Sequence, residues 1–269
     1  MTESTVSGKR RRSKQRNRRL PDSIMRGRSP GSYHNSGLPF RLRMSPALNQ
    51  RDFLWGLLAF CGVAAPIILI VLIVVGAAVT SGYDHVSEPI SQLAATGSPH
   101  PGWMSTGFIT YGIMILGFGL VLYRSVRNHR FAWLVLLFYV LHGVGFVLGG
   151  VFSDDPRATE SVSTVTGILH NAWIIIGCFS FVIGMFAYAW LKRNDLSWRI
   201  LVRFFYVFLI IILITFVISQ IPAFAAAEGV MQRVYGVLSL ILIEIAAIKL
   251  LISRRHRRID STGELHSQP

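Results

Sequence analysis

Residues 204–217 read FFYVFLIIILITFV, a run of aliphatic and aromatic side chains interrupted by a single threonine. The run is too long for a β-strand, and it forms most of the ~20 apolar residues that an α-helix needs to cross about 30 Å of hydrocarbon. A helix satisfies its backbone hydrogen bonds internally, as the bilayer core requires. This stretch therefore predicts a transmembrane helix and points to a membrane protein.

The composition of the whole chain agrees with this class. Of the 269 residues 52% are hydrophobic and only 15% are charged, whereas a soluble domain carries about 25% charged residues. Six apolar runs are long enough, or nearly so, to span a membrane, and the sequence predicts an all-α bundle of six transmembrane helices. The predicted spans are approximately residues 53–79, 104–122, 131–151, 166–191, 201–221 and 234–252.

The distribution of Lys and Arg predicts the orientation of this bundle. Only two of the 27 basic residues, Arg157 and Arg233, fall in the connections on one side, and the other 25 fall in the tails and connections of the other side. Because cytoplasmic segments are enriched in Lys and Arg, both termini are expected in the cytoplasm. The expected organisation is a disordered basic arm (1–50), a six-helix transmembrane domain (51–253) and a basic tail (254–269).

The basic arm contains a dense cluster of positive charge. Residues 9–19 read KRRRSKQRNRR, and the residues that follow show no apolar period. Lys9, Arg19 and the basic residues between them are suited to a solvated segment that sets topology, or to contact with anionic lipid of the inner leaflet. Nucleic acid is a less favoured partner, since no helix-turn-helix, zinc or RNA-binding pattern accompanies the run.

The connection after the first span contains the start signals of a short helix. Ser87, Glu88 and Pro89 supply a hydroxyl cap, an acid in the first turn and a proline where its missing N–H does no harm. The apolar residues Ile90, Leu93 and Ala94 then share one face, and Gly97 can end the helix. The pattern predicts an amphipathic helix on the outer membrane interface, covering the bundle.

Three clusters of ionisable residues lie at span ends on the predicted outer side. They comprise Asp84 and His85, then Asp154 and Asp155, then His170. Carboxylates and imidazoles can bind a divalent metal, for which the candidate ligands are His85, Asp154, Asp155 and His170. The same residues with Asp84 are candidates for acid–base catalysis of hydrolysis.

These clusters also have a purely structural interpretation. Asp154 or Asp155 can cap the turn and helix around Pro156, and His170 can bond a loop carbonyl. The sequence contains no HExxH motif and no paired-cysteine spacing, so the two interpretations stay open.

Two ionisable residues are predicted deep in the membrane, His142 in the third span and Glu244 in the sixth. A charge at the bilayer centre costs at least ~2.5 kcal/mol, so both side chains are expected to face the bundle interior. We expect them to approach each other, as a proton relay for transport or as a buried hydrogen bond between helices. Gly145 and Gly149 share a face with His142 and predict close helix packing.

Several of these motifs resemble an uncharacterised bacterial multi-pass membrane family, domain of unknown function 998. The resemblance rests on YDHVSEPISQL at residues 83–93, on GVFSDDP at 150–156, and on Gly167 with His170, and it covers roughly residues 53–250. It implies six helices and a plasma-membrane location, and it implies no activity. A remoter likeness to metal hydrolases of the alkaline ceramidase type is fold-level analogy, because Glu244 stands alone where paired histidines are expected.

The leading functional hypothesis is an integral membrane protein with an outward-facing polar pocket that binds a lipid headgroup or a small solute. The first alternative is a metal-dependent membrane hydrolase acting on a lipid or amide at the outer face. The second alternative is a small proton-coupled transporter that uses His142 and Glu244. No repeat relates the two halves of the chain, which counts against the transporter.

Overall fold

A computed structural model describes residues 46–156 and 163–266, with the side chains of 50–156 and 163–253. Within these residues the chain forms six α-helices. They are α1 (Pro46–Val79), α2 (Pro101–Val126), α3 (Ala132–Val151), α4 (Val165–Lys192), α5 (Arg199–Ser219) and α6 (Glu228–His266). All six are long and apolar enough to cross a membrane. The prediction of a six-span helical membrane protein is confirmed, whereas the predictions for residues 1–45 lie outside the described residues.

The helices form a closed ring. Each helix packs against the next along the chain, and α1 packs against α6. Because six helices alternate in direction, the first residue of α1 and the last residue of α6 lie at one end of the ring. We call the opposite end the distal end. It is formed by residues 80–100, 152–156 with 163–164, and 220–227. It contains the first two predicted ionisable clusters, and His170 lies in the first turns of α4.

Glycines bring α3 and α4 into close contact. A Cβ atom on Gly145 would lie 2.7 Å from the carbonyl oxygen of Trp173 and 2.8 Å from Cα of Gly177. A Cβ atom on Gly149 would overlap the side chain of Ile174. Only glycine allows the two backbones to approach this closely, so the predicted packing role of Gly145 and Gly149 is confirmed.

The helix predicted after the first span is shorter and more buried than expected. It is a single 3-10 helix, Ile90–Ala94, without a side-chain cap. Leu93 and Ala94 are buried, and the element packs against α1, α2 and α6. It therefore lies within the distal end of the ring. Gly97 has φ of +93°, a conformation suited to glycine, in the turn that follows this helix.

Candidate functional site

Arg233 of α6 ties the distal loop to the last helix. Its Nη2 donates to the Tyr83 hydroxyl at 2.6 Å. Its Nη1 donates to the carbonyl oxygens of His85 at 2.9 Å, Glu88 at 3.1 Å and Gly229 at 2.8 Å. Every one of these acceptors is an uncharged oxygen, so the hydrogen bonds satisfy donors of the guanidinium without neutralising its charge.

The acids of the first cluster stabilise their own turn. The Asp84 carboxylate accepts from the Ser87 hydroxyl at 2.6 Å and from the backbone N–H of Val86 at 3.0 Å. The hydroxyl bond, followed by the backbone bond, holds the pKa of Asp84 below its ordinary value. The Glu88 carboxylate accepts from the backbone N–H of Asp84 at 3.1 Å. Both carboxylates therefore cap the turn that follows α1.

Asp154 links the second cluster to the 3-10 helix. Its Oδ2 accepts from Nε2 of Gln92 at 3.0 Å, and its Oδ1 accepts from the Asp155 N–H at 2.9 Å and from the Asn171 amide at 3.4 Å. Its backbone carbonyl accepts from the N–H of Thr96 at 3.0 Å. Asp154 is 5% exposed, so it is a buried carboxylate with several donors. It holds the connections after α1 and α3 together.

Asp155 lies at the N-terminus of α4. Its carboxylate accepts from the backbone N–H of Thr164 at 2.9 Å and from the Thr164 hydroxyl at 2.5 Å. A Cβ atom on Gly167 would overlap this carboxylate. An acid at a helix N-terminus satisfies free N–H groups and interacts favourably with the helix dipole. This geometry matches the capping interpretation of the acidic pair.

His170 is completely buried and closes the C-terminus of α3. Its Nδ1 lies 2.6 Å from the Gly149 carbonyl oxygen and 2.9 Å from that of Phe152. Since carbonyls only accept, Nδ1 carries a hydrogen. Nε2 is buried and has no hydrogen-bond partner among the residues that the structure describes. His170 thus satisfies helix-end carbonyls, as the structural interpretation of this residue predicts.

The four candidate metal ligands do not form one group. His85 packs against the Tyr83 ring with centroids 5.2 Å apart, whereas the other three lie around the α3–α4 connection. Among the side chains of residues 50–156 and 163–253, no group of three or more His, Cys, Asp or Glu residues is arranged to hold a metal ion.

The expected contact between His142 and Glu244 is not found. Nε2 of His142 is 3.0 Å from the Tyr111 hydroxyl, and Nδ1 is 2.9 Å from the Gly177 carbonyl oxygen. Both ring nitrogens are therefore used within α2, α3 and α4. Oε2 of Glu244 is buried and has no hydrogen-bond partner in the part of the chain that the structure describes. The expectation was wrong because the depth at which the sequence places a residue in the membrane does not show which helices are neighbours in the ring.

A cavity of about 510 Å³ lies inside the helical ring. All six helices contribute to its walls, which are predominantly apolar and include Leu69, Phe108, Phe146, Phe181 and Phe216. Its volume is within the usual range of ligand pockets, about 300–1,000 Å³. The hypothesis of a pocket at the outer acids missed this feature, since the space is created by helix spacing and not by a motif.

The polar residues of the cavity are concentrated toward the distal end. His85, Ser91, Gln232 and Arg233 line it there, and Tyr111 with His142 lies deeper. In the sequence, Arg233 contributed only to the count of basic residues that predicts the orientation of the bundle. A signal was present, since Gln232 and Arg233 stand together at the start of an otherwise apolar span.

Six apolar helices in a ring around an internal cavity define a multi-pass α-helical membrane protein. The chain belongs to the family described as "Protein of unknown function (DUF998)", whose model matches residues 63–249. This match confirms the family indicated by the motifs at residues 83–93 and 150–156. No curated protein and no solved structure matches the chain.

Proposed function

We propose that the protein binds a lipid-like amphiphile in the central cavity, with an anionic group beside Arg233 and an apolar chain between the helices. The observation that carries this proposal is the Arg233 guanidinium at the polar end of an apolar cavity, where its four hydrogen bonds described above go to uncharged oxygens. The cavity offers hydrophobic surface for a chain and one fixed cation for a headgroup.

The chemistry of the guanidinium supports an anionic ligand. Arginine has five N–H hydrogens, and the bonds described above leave the Nε–H and one hydrogen of Nη2 unused. Phosphate and carboxylate oxygens are the acceptors that arginine binds best, because the bonds are charge-assisted and can be bidentate. Charge interactions are also stronger near a low-dielectric interior than in bulk water.

The orientation of the bundle belongs to this proposal. The excess of Lys and Arg outside the distal connections supports cytoplasmic termini in the plasma membrane and an exoplasmic distal end. The headgroup would then lie at the level of the outer leaflet. Replacing exposed Ser81 or Thr96 by Cys in intact cells tests this: a membrane-impermeant maleimide should label both positions. Labelling only after permeabilisation would contradict the orientation.

A binding experiment tests the ligand class. Detergent-purified protein is titrated with fluorescent phosphatidic acid and with the matched zwitterionic phosphatidylcholine. We expect saturable binding of the anionic lipid, weakened about ten-fold by Arg233→Gln, since a hydrogen bond to a charged group contributes about 1.5–3 kcal/mol before allowance for partial exposure. Arg233→Lys keeps the charge and should lose less affinity.

The matched control is Arg203→Gln, at an exposed position of α5 toward the opposite end of the ring. This variant should bind like the parent protein. Equal binding of both lipids, or equal loss in the two glutamine variants, would contradict a headgroup site at Arg233. Thermal unfolding of each variant identifies any loss of binding that follows from loss of the fold.

A further inference from the structure

Residues of α1 lie at an edge where the cavity meets the outer surface of the ring. Along the cavity-lining face of this helix, Leu69 is 5% exposed and Ala77 is 8% exposed. Ile70 and Val74 also line the cavity, yet they are 41% and 61% exposed. Side chains that line an internal cavity and yet have so large an exposed fraction indicate a gap in the cavity wall.

The facing edge is formed by α6, which closes the ring against α1. Val237 lines the cavity and is 46% exposed, whereas Tyr235 and Leu240 of the same helix are buried. Gly236 also lines the cavity, and a Cβ atom placed on it would meet no atom within 4 Å. The backbone at Gly236 therefore borders open space, in contrast to the tightly packed glycines of α3.

Hydrogen bonds join the loop after α1 to α6 at the distal end of the cavity. The Ile90 N–H donates to Oε1 of Gln232, and the Val230 N–H donates to the Val86 carbonyl at 3.1 Å. Arg233 adds its bonds to the carbonyls of His85 and Glu88. A ligand that entered between these elements would have to separate the bonded groups, whereas none of these bonds lies between Val74 and Gly236.

We infer that the gap between α1 and α6 at Val74, Gly236 and Val237 is a lateral portal through which a bilayer lipid enters the cavity. Gly236 lies eight residues into α6, about 12 Å along the helix axis, which is within the apolar part of the span. An acyl chain can pass sideways at this depth without leaving hydrocarbon. The identity of the ligand rests on the proposed function. The portal adds that this ligand is a lipid of the bilayer and not an anion dissolved in water.

The portal can be tested without any ligand, because a thiol lies inside the cavity. Cys178 of α4 lines the cavity, and Cys61 is removed by Cys61→Ser. Protein in liposomes is treated with N-dodecylmaleimide, which dissolves in the bilayer, and separately with a sulfonated maleimide that stays in water. We expect the bilayer-soluble reagent to modify Cys178 faster.

Gly236→Leu places a side chain in the gap and should slow the bilayer-soluble reaction about ten-fold, as expected when entry requires the wall to rearrange. Gly56→Leu is the matched control, since a Cβ atom at Gly56 also meets nothing within 4 Å and this residue does not line the cavity. The control should react at the parent rate. Equal rates in the two leucine variants would overturn the portal, as would a faster reaction with the sulfonated reagent or no reaction with N-dodecylmaleimide.

Lipid kinetics separate the portal from the binding site. A residue that gates entry slows association and dissociation by the same factor and leaves the affinity unchanged. Gly236→Leu should show this pattern with fluorescent phosphatidic acid, whereas Arg233→Gln should mainly raise the dissociation rate. If the parent protein binds no lipid but the maleimide result holds, the proposed function fails and the portal stands.

Discussion

The Tyr83 hydroxyl accepts a hydrogen bond from Nη2 of Arg233 at 2.6 Å, across 150 residues of sequence. The same hydroxyl donates to the Pro89 carbonyl at 3.0 Å. This phenol therefore connects the guanidinium to the loop after α1, and it holds Arg233 at the polar end of the cavity.

Tyr83→Phe should loosen this connection without removing the charge. A hydrogen bond to a charged donor contributes about 1.5–3 kcal/mol, and partial exposure of Tyr83 reduces the expected loss of unfolding free energy to about 1 kcal/mol. Thermal unfolding in detergent measures the loss. Tyr123→Phe, at a half-buried tyrosine of α2 near the opposite end, should be close to neutral. Equal stability of Tyr83→Phe and the parent would show that the bond contributes nothing.

Acid should open the turn at Asp84. The pKa of this carboxyl lies below its ordinary value of 3.8, first because of the Ser87 hydroxyl bond and then because of the Val86 N–H bond. Since the pKa is lowered by folding, the stabilisation is complete above the unfolded-state value and is lost as pH falls through the lower, folded-state value.

Hydrogen exchange of the Val86 and Ser87 amides, corrected for the intrinsic effect of pH, measures this opening. Protection should fall once the pH drops below about 4, the ordinary range of an aspartate. Asp84→Asn cannot ionise and should show no such step. A step of equal size in both proteins would assign the change to another group.

Gly145→Ala should destabilise the bundle. The added Cβ would meet backbone atoms of Trp173 and Gly177 at 2.7 and 2.8 Å, and overpacking of this kind costs about 1–3 kcal/mol. Gly56→Ala meets nothing within 4 Å and should be neutral, or stabilising by up to about 1 kcal/mol through helix propensity. Denaturant unfolding of both variants provides the comparison. Effects of the same sign and size would contradict close packing at Gly145.

His142 should be energetically coupled to Tyr111 and not to Glu244. Interhelical hydrogen bonds in membrane proteins contribute about 0.6 kcal/mol on average and up to about 1.7. A double-mutant cycle of Tyr111→Phe with His142→Leu should return a coupling energy in this range. The cycle of His142→Leu with Glu244→Gln should be additive. Significant coupling in the second cycle would revive the proton-relay hypothesis for transport.

The sequence was most informative where one residue type decides the structure. The spans followed from apolar runs such as residues 204–217, because only a helix can carry such a run through hydrocarbon. The Ser87 hydroxyl was predicted to cap the helix after Pro89, but it donates to the Asp84 carboxylate three positions earlier. The bond of His170 to the Phe152 carbonyl agrees with the structural interpretation of this histidine, since the two residues lie at the two ends of one connection.

The cavity and its cation could not be predicted in the same way. The hydrogen bonds of Arg233 to Tyr83 and His85 join the loop after α1 to α6. Hydrophobic periodicity reflects local structure, so it does not reveal a contact between residues 150 positions apart. The same limitation explains the incorrect pairing of His142 with Glu244. Tyr111, the true partner of His142, is an ordinary aromatic residue in an apolar span, and nothing in its neighbourhood marks it as a hydrogen-bonding residue.

Closure of the ring by α1 and α6 has a consequence for biosynthesis. The ribosome releases α1 long before α6 exists, so the cavity wall has a missing side until α6 has been synthesised. During that interval Tyr83 and the carbonyls of His85 and Glu88 lack the guanidinium that later binds them. A nascent chain that ends before Arg233 therefore has five helices and no enclosed chamber.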